Sequence, residues 1–288
     1  MSQFVENKII SGKAVSAAVK DRIRDEVAAF ASGYGRAPKL CVILVGDDPA
    51  SAIYVRNKKK ACEDVGIISE EYRLPADSSE QDVLELIGTL NGDSSVDGIL
   101  VQLPVPKHLD EIKIIEAIDP SKDVDCFSPV NTGRLYNGNP YFLPCTPAGI
   151  IELIKASGTD ISGKTCVVIG RSNIVGKPIA ALLMENDGTV TVCHRKTPDL
   201  KEVTQRADIL VVAMKKPDFI TADYVKPGAV IIDVGINRKP DGKVTGDVDF
   251  ESCYDKCGFI TPVPGGVGPM TVTMLLDNTV KAARLHVS

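Results

Sequence analysis

Ser51, Tyr54 and Lys58 stand three and four positions apart, a spacing that brings side chains onto one face of a helix. An aromatic ring and an amine so arranged suit a flat heterocycle: the ring stacks on it, and the amine serves as proton donor or general base. Lys58-Lys59-Lys60 also has a plainer reading as a solvated basic run. Gln102 lies at the carboxyl end of the parallel strand expected over 96–103, which ends in Gln102-Leu103-Pro104, where such sheets bind ligands. Taken alone it reads equally well as a cap or turn residue. Asp123 and Asp125, in Ser121-Lys122-Asp123-Val124-Asp125, suit either a substrate amine or a helix cap. His108, His194 and His286 share no evident pairing, and no Ser–His–Asp or Cys–His constellation emerges from them. Cys253 and Cys257 are four apart but lack a second pair to complete four ligands, so no metal is expected.

A second constellation follows the β-rich run 165–169: Gly170-Arg171-Ser172-Asn173-Ile174-Val175-Gly176-Lys177-Pro178. Glycine at a strand end permits a tight turn, and a second glycine lets a phosphate approach the backbone. Pro178 suits the first turn of a helix whose free N–H groups and positive dipole end favour an anion. The pattern is not GxGxxG, and a glycine-punctuated turn without ligand stays open as an alternative. The next strand, 189–193, ends in His194-Arg195-Lys196-Thr197 where NAD-specific folds place an acidic residue. A basic cluster there suits the additional phosphate of NADP, with Arg171 and Arg195 as candidates to reach it. The bland alternative is a solvated basic turn. Asp187, within Asn186-Asp187-Gly188, reads as turn chemistry.

Positioning these groups falls to a chain of 288 residues, long enough for about two domains. Its 33 basic and 38 acidic residues give a net charge of −5, which argues against a nucleic-acid binder. Apolar residues make up 44% and charged ones 25%, as in globular proteins. The longest apolar runs are strand-sized, far short of a membrane span, and the first seven residues lack a signal-peptide pattern, so a cytoplasmic protein is expected. Eight scattered cysteines read as buried reduced thiols. Strands are expected over 39–45, 71–74, 96–103, 165–169, 189–193, 208–213 and 229–234. Helices are expected over 12–32, 49–65, 79–90, 109–118, 147–156, 177–185 and 271–285. Their alternation predicts βαβ units and parallel sheets in two α/β domains. Between 119 and 147 the pattern dissolves into Pro, Asn, Gly and Asp, a linker or binding loop.

Five ordered segments converge on one family. Tyr54–Ala61 resembles its YVxxKxKA helix, Val101-Gln102-Leu103-Pro104 its VQLP strand end, and Lys122–Asp125 its KDVD loop. Gly170–Pro178 resembles its GRSxIVGxP turn and Pro262–Thr271 its PVPGGVGPMT loop. From about Ser11 to Thr279 the chain is similar to the bifunctional methylenetetrahydrofolate dehydrogenase/methenyltetrahydrofolate cyclohydrolases. The resemblance implies an α/β, two-domain fold. An N-terminal α/β folate domain over 1–148 is joined by the C-terminal helix 270–288, and a Rossmann-like NADP-binding domain with a mostly parallel sheet covers 149–269. It also implies a homodimer and two activities at one cleft: hydride transfer from methylenetetrahydrofolate to NADP, then hydrolysis of the methenyl cation to formyltetrahydrofolate.

By the same resemblance Tyr54 stacks on the folate, Lys58 serves hydrolysis, Gln102 orients Lys58, and Asp125 grips the pterin. Val101, Leu103, Pro264, Gly265 and Gly266 are further substrate candidates. Gly170, Arg171, Ser172, Ile174, His194, Arg195, Ile236 and Thr271 are the candidates to hold NADP. Hydride transfer belongs to the cofactor, so the protein need only hold two flat rings face to face. Hydrolysis of a cation is helped by a base that stays neutral beside positive charge. The chain departs from the pattern at Cys126, where the family usually has Gly, and at Ser128, where bacterial members commonly have His. Met214-Lys215-Lys216-Pro217 replaces a stretch that usually contains Gly, and Lys215 there is a candidate for an extra phosphate contact. A dehydrogenase for another small substrate would share Gly170–Pro178 and Arg195 but leave Tyr54, Lys58 and Gln102 together unexplained. A non-catalytic folate- or nucleotide-binding protein would leave Tyr54 and Lys58 unexplained.

Overall fold

The computed structural model describes residues 3–287. In chain order it opens with β1 (Val5–Glu6), β2 (Ile9–Ile10) and α1 (Gly12–Tyr34). There follow β3 (Lys39–Val45), α2 (Pro49–Val65), β4 (Ile68–Leu74), α3 (Glu80–Gly92), β5 (Gly98–Val101), α4 (Glu111–Glu116) and α5 (Pro129–Tyr136). Next come α6 (Cys145–Ala156), β6 (Thr165–Ile169), α7 (Gly176–Glu185), β7 (Thr189–Cys193), α8 (Leu200–Thr204), β8 (Ile209–Val212) and β9 (Val230–Asp233). A small hairpin, β10 (Asn237–Arg238) with β11 (Val244–Thr245), precedes α9 (Phe250–Tyr254), β12 (Phe259–Ile260) and α10 (Val267–Leu285).

The chain divides into two compact units. One comprises Val19–Pro144 and Val272–Ser288 and carries a three-stranded parallel sheet in the order β4-β3-β5. Its central strand β3 is covered on both faces, which is why it reads as the unbroken apolar run Leu40–Val45. Ile43, Val83, Ile87, Ile99 and Ile114 are wholly buried in its core.

The other unit comprises Met1–Ala18 and Cys145–Thr271. Its seven-stranded sheet runs β1-β2-β12-β9-β8-β6-β7, parallel from β2 to β7, with β1 antiparallel at one edge. Since β6 lies between β7 and β8, the strand order reverses there, and ligands bind at the carboxyl ends of strands beside such a reversal. At the other edge β7 is half-exposed, with Thr189, Thr191 and Val192 open.

Two differences from the sequence-based expectation have clear causes. Where the folate domain is expected over 1–148, residues 3–18 cluster with the larger sheet, to which the pairing of Ile9 with Ile260 ties them. A helix, α5, also interrupts the stretch expected to be irregular; Ser128 caps it by accepting from the Asn131 N–H, and Pro129 fills its first turn.

Candidate functional site

In the smaller-sheet unit the chemistry gathers at the carboxyl end of the sheet. Asp48 caps α2 by accepting the Ser51 N–H at 2.7 Å, Pro49 fills the first turn, and Gly66 ends the helix in a left-handed conformation. That bond holds the Asp48 carboxyl below its ordinary range. The helix buries Ser51 and Val55, while Tyr54 stays 52% exposed. One turn on, Lys58 Nζ donates to Gln102 Oε1 at 3.1 Å. Gln102 follows β5 directly, and its backbone N–H donates to Ile43 O at 2.8 Å, extending the ladder by one residue. Its side-chain Nε2 donates to Leu103 O at 2.7 Å, which fixes the amide so that its oxygen faces the amine.

The loop after α4 separates the roles of two acidic candidates that the sequence left equivalent. Asp123 is buried and committed: its carboxylate accepts the Ser128 N–H and Asn131 Nδ2, both at 2.9 Å, and the Phe127 N–H at 3.3 Å. Lys122 is buried too, donating to the carbonyls of Leu90, Asn91 and Asp93, and burial lowers its pKa. With its neighbours so anchored, half-buried Asp125 lines a small hollow together with Val101, Ile99 and Phe127. Cys126 sits at φ 61°, a conformation that favours glycine, and its Sγ lies 3.1 Å from Phe142 O. The loop therefore keeps the left-handed turn in spite of its side chain.

In the larger-sheet unit, Gly170 ends β6 at φ 129°, and a Cβ there would lie 2.3 Å from Ala213 O. A Cβ on Gly176 would lie 2.2 Å from Gly170 O, so this turn tolerates no side chain at either point. The end of α7 offers fewer amides than expected. Ser172 Oγ accepts from the N–H groups of Val175 and Gly176, Ser172 O accepts from Lys177, and Pro178 has none to give. The N–H groups of Arg171, Ser172, Asn173 and Ile174 make no hydrogen bond among the described residues, so the donors for an anion lie in the turn itself. Beside it opens a pocket of about 500 Å³ lined by Gly170, Arg171, His194 and Arg195, four of the expected cofactor residues. Lys216 lines it as well, rather than the neighbouring Lys215, and holds its ammonium 3.7 Å from the Phe219 ring centre. The cationic lining, the unoccupied amides and the side-chain-free glycine turn fit a phosphate-rich dinucleotide.

A second pocket in this unit, of about 250 Å³, brings Pro264, Gly265 and Gly266 together with Ile236 and with Lys13, which the sequence did not single out. Ser172 and Ile174 line neither pocket, although Ser172 builds the turn. Thr271 Oγ1 lies 2.9 Å from Thr146 Oγ1.

One constellation invisible in the sequence forms in space: Ser121 Oγ lies 3.2 Å from His286 Nε2, and His286 Nδ1 lies 3.5 Å from Asp97 Oδ1. It lacks the properties of a nucleophilic triad. The Ser121 hydroxyl donates to Asp119 at 2.7 Å, and both Asp97 oxygens receive Arg36, at 2.6 and 2.7 Å. Among the described residues no cluster of three or more His, Cys, Asp or Glu could hold a metal, and no helix is long and apolar enough to cross a membrane.

Comparison with known proteins agrees with both halves. Residues 10–125 match the tetrahydrofolate dehydrogenase/cyclohydrolase catalytic domain, and 144–287 match the NAD(P)-binding domain of the same family. The chain is 58% identical over 282 residues to the bifunctional protein FolD of Acetivibrio thermocellus, covering 98% of this chain and 99% of that protein. The crystal structure of the bifunctional FolD methylenetetrahydrofolate dehydrogenase/cyclohydrolase from Campylobacter jejuni superposes with a TM-score of 0.93 at 50% identity, covering 96% of this chain and 98% of that one. The Trypanosoma brucei enzyme, solved with NADP and an inhibitor, gives 0.91 at 39% identity over 97% and 98%.

Proposed function

This chain belongs to the tetrahydrofolate dehydrogenase/cyclohydrolase family, and from that premise we propose how its residues divide the two reactions. The enzyme oxidises methylenetetrahydrofolate to methenyltetrahydrofolate with NADP and hydrolyses the product to formyltetrahydrofolate. NADP, when bound, supplies the hydride acceptor. Gly170, Arg171, Ser172, Ile174, His194, Arg195, Ile236 and Thr271 hold it, the arginines pairing with phosphate. Tyr54 offers its exposed ring to the pterin, Asp125 accepts from it, and Val101 and Leu103 complete this unit's substrate contacts; Pro264, Gly265 and Gly266 are the substrate candidates of the other unit.

In the hydrolytic step a water oxygen bonds to the amidinium carbon, one ring C–N bond breaks, and one proton is released. Lys58 moves that proton, while Gln102 holds the amine in place so that little orientation is lost as the barrier is climbed. The observation that carries this reading is the 3.1 Å bond from Lys58 Nζ to Gln102 Oε1, with the amide locked by Leu103 O. Without a positioned amine the hydrolytic half has no proton carrier.

We place the enzyme in the cytoplasm, because all eight cysteines are free thiols, as a reducing compartment maintains them. It works as a homodimer, for which the open edge strand β7 is a ready pairing surface. The test of the function is one spectrophotometric assay of the purified chain with methylenetetrahydrofolate and NADP. Reduced nucleotide and the methenyl intermediate are followed together. Both signals are expected, the second rising and then decaying; no nucleotide reduction would overturn the reading.

A further inference from the structure

We infer that Asp247 is a positioning residue for the NADP site, holding the loop that forms one wall of that pocket; this rests on the cofactor reading above. Asp247 is wholly buried, and its carboxylate takes four donors. Oδ2 accepts the N–H groups of Met214 (2.7 Å) and Lys215 (3.0 Å), and Oδ1 accepts that of Lys216 (2.7 Å) and Asn237 Nδ2 (2.9 Å). Its backbone carbonyl accepts two more amides of the same loop, those of Phe219 (2.8 Å) and Ile220 (3.0 Å). Met214, Lys216 and Phe219 all line the pocket beside Arg171 and Arg195.

The loop needs this tether. Lys215 and Asp218 take φ values of 56° and 50°, conformations that side chains resist, so the backbone reverts unless its amides are held. The carboxylate is itself fixed from behind. Buried Asp233 accepts the Asp247 N–H at 3.0 Å and the Val248 N–H at 2.9 Å. Gly235 and Gly246 make room for the two acids, since a Cβ on Gly246 would lie 1.8 Å from Asp233 Oδ2, and one on Gly235 would lie 2.5 Å from Asp247 Cγ. Only a carboxylate accepts at both ends. The amide of asparagine, whichever way it is turned, sets an NH₂ against two donors.

The test compares wild type with Asp247→Asn and with the milder Asn237→Ala, which removes one donor and leaves the carboxylate. Calorimetry with NADP⁺ and hydrogen exchange on nucleotide-free protein are read together with methenyltetrahydrofolate hydrolysis, which consumes no nucleotide. Asp247→Asn is expected to weaken NADP⁺ binding about 30-fold and to speed exchange at 214–216 by a similar factor. Asn237→Ala should shift both about threefold, while hydrolysis stays within twofold in each variant. Unchanged binding and exchange in both variants would overturn the inference, as would hydrolysis falling in step with binding. Failure of the wild type itself to bind NADP⁺ would overturn the cofactor reading beneath it.

Discussion

Arg195→Ser probes the nucleotide specificity. Arg195 shares its pocket with Arg171, His194 and Lys216, so a phosphate bound there meets several donors at once. A charge-assisted hydrogen bond contributes about 1.5–3 kcal/mol. The Arg195 side chain is exposed and its neighbours compensate in part, which sets the loss at the lower end, about 1.5 kcal/mol. That is roughly a twelvefold rise in the dissociation constant for NADP⁺. NAD⁺ carries no phosphate at that position, so its affinity should change less than about twofold. Titrating both nucleotides against wild type and variant at two salt concentrations measures the difference, and the NADP⁺ effect should shrink as salt rises. Equal loss for both nucleotides would remove Arg195 from phosphate recognition and refute the reasoning.

Two further substitutions test other parts of the structure. Asp97→Asn breaks a buried pair in which Arg36 donates twice and the Lys39 N–H once, and thermal unfolding should show about 3 kcal/mol of lost stability. Burial pushes the Asp97 carboxyl up, but hydrogen bonds from Arg36, His286 and the Lys39 amide outweigh it and hold the pKa below its ordinary value. Its contribution is therefore present above about pH 4 and lost as pH falls through the folded-state value, so wild type and variant should converge in acid. Gly176→Ala drives a methyl into Gly170 O; NADP⁺ binding should fall by more than tenfold and unfolding should come about 2 kcal/mol earlier. Unaltered binding would show that the turn can relax.

What was legible in the sequence follows from what is local. The strands Thr165–Ile169 and Thr189–Cys193 and the helix Pro49–Val65 lie where the apolar runs and the Asp48-Pro49 cap put them, because their boundaries are set by neighbours in the chain. The two-residue strands β2 and β12 meet through the pairing of Ile9 with Ile260, and β12 pairs on its other side with β9, contacts that no window of sequence contains. Helix α5 stayed hidden in a stretch rich in Pro, Asn and Gly although Ser128-Pro129 mark its start, and that start is held in part by buried Asp123, which receives donors from Ser128 and Asn131. Asp123 and Asp125 look alike in sequence: burial, rather than residue type, divides their roles. Asp247 gave no local signal, since the loop amides its carboxylate holds, those of Met214, Lys215 and Lys216, lie over thirty positions upstream. The Lys58–Gln102 bond spans 44 positions, and only the family motifs linked its two ends in advance.

The division of labour between the two reactions is tested most directly by Lys58→Met, with hydride transfer and methenyltetrahydrofolate hydrolysis assayed on the same preparation. Loss of one positioned proton carrier removes about 10²–10⁴-fold. Hydrolysis should fall by at least a hundredfold, while nucleotide reduction persists at a substantial fraction of the wild-type rate. Hydrolysis at the wild-type rate would contradict the account, because the amine held by Gln102 would then have no part in the chemistry.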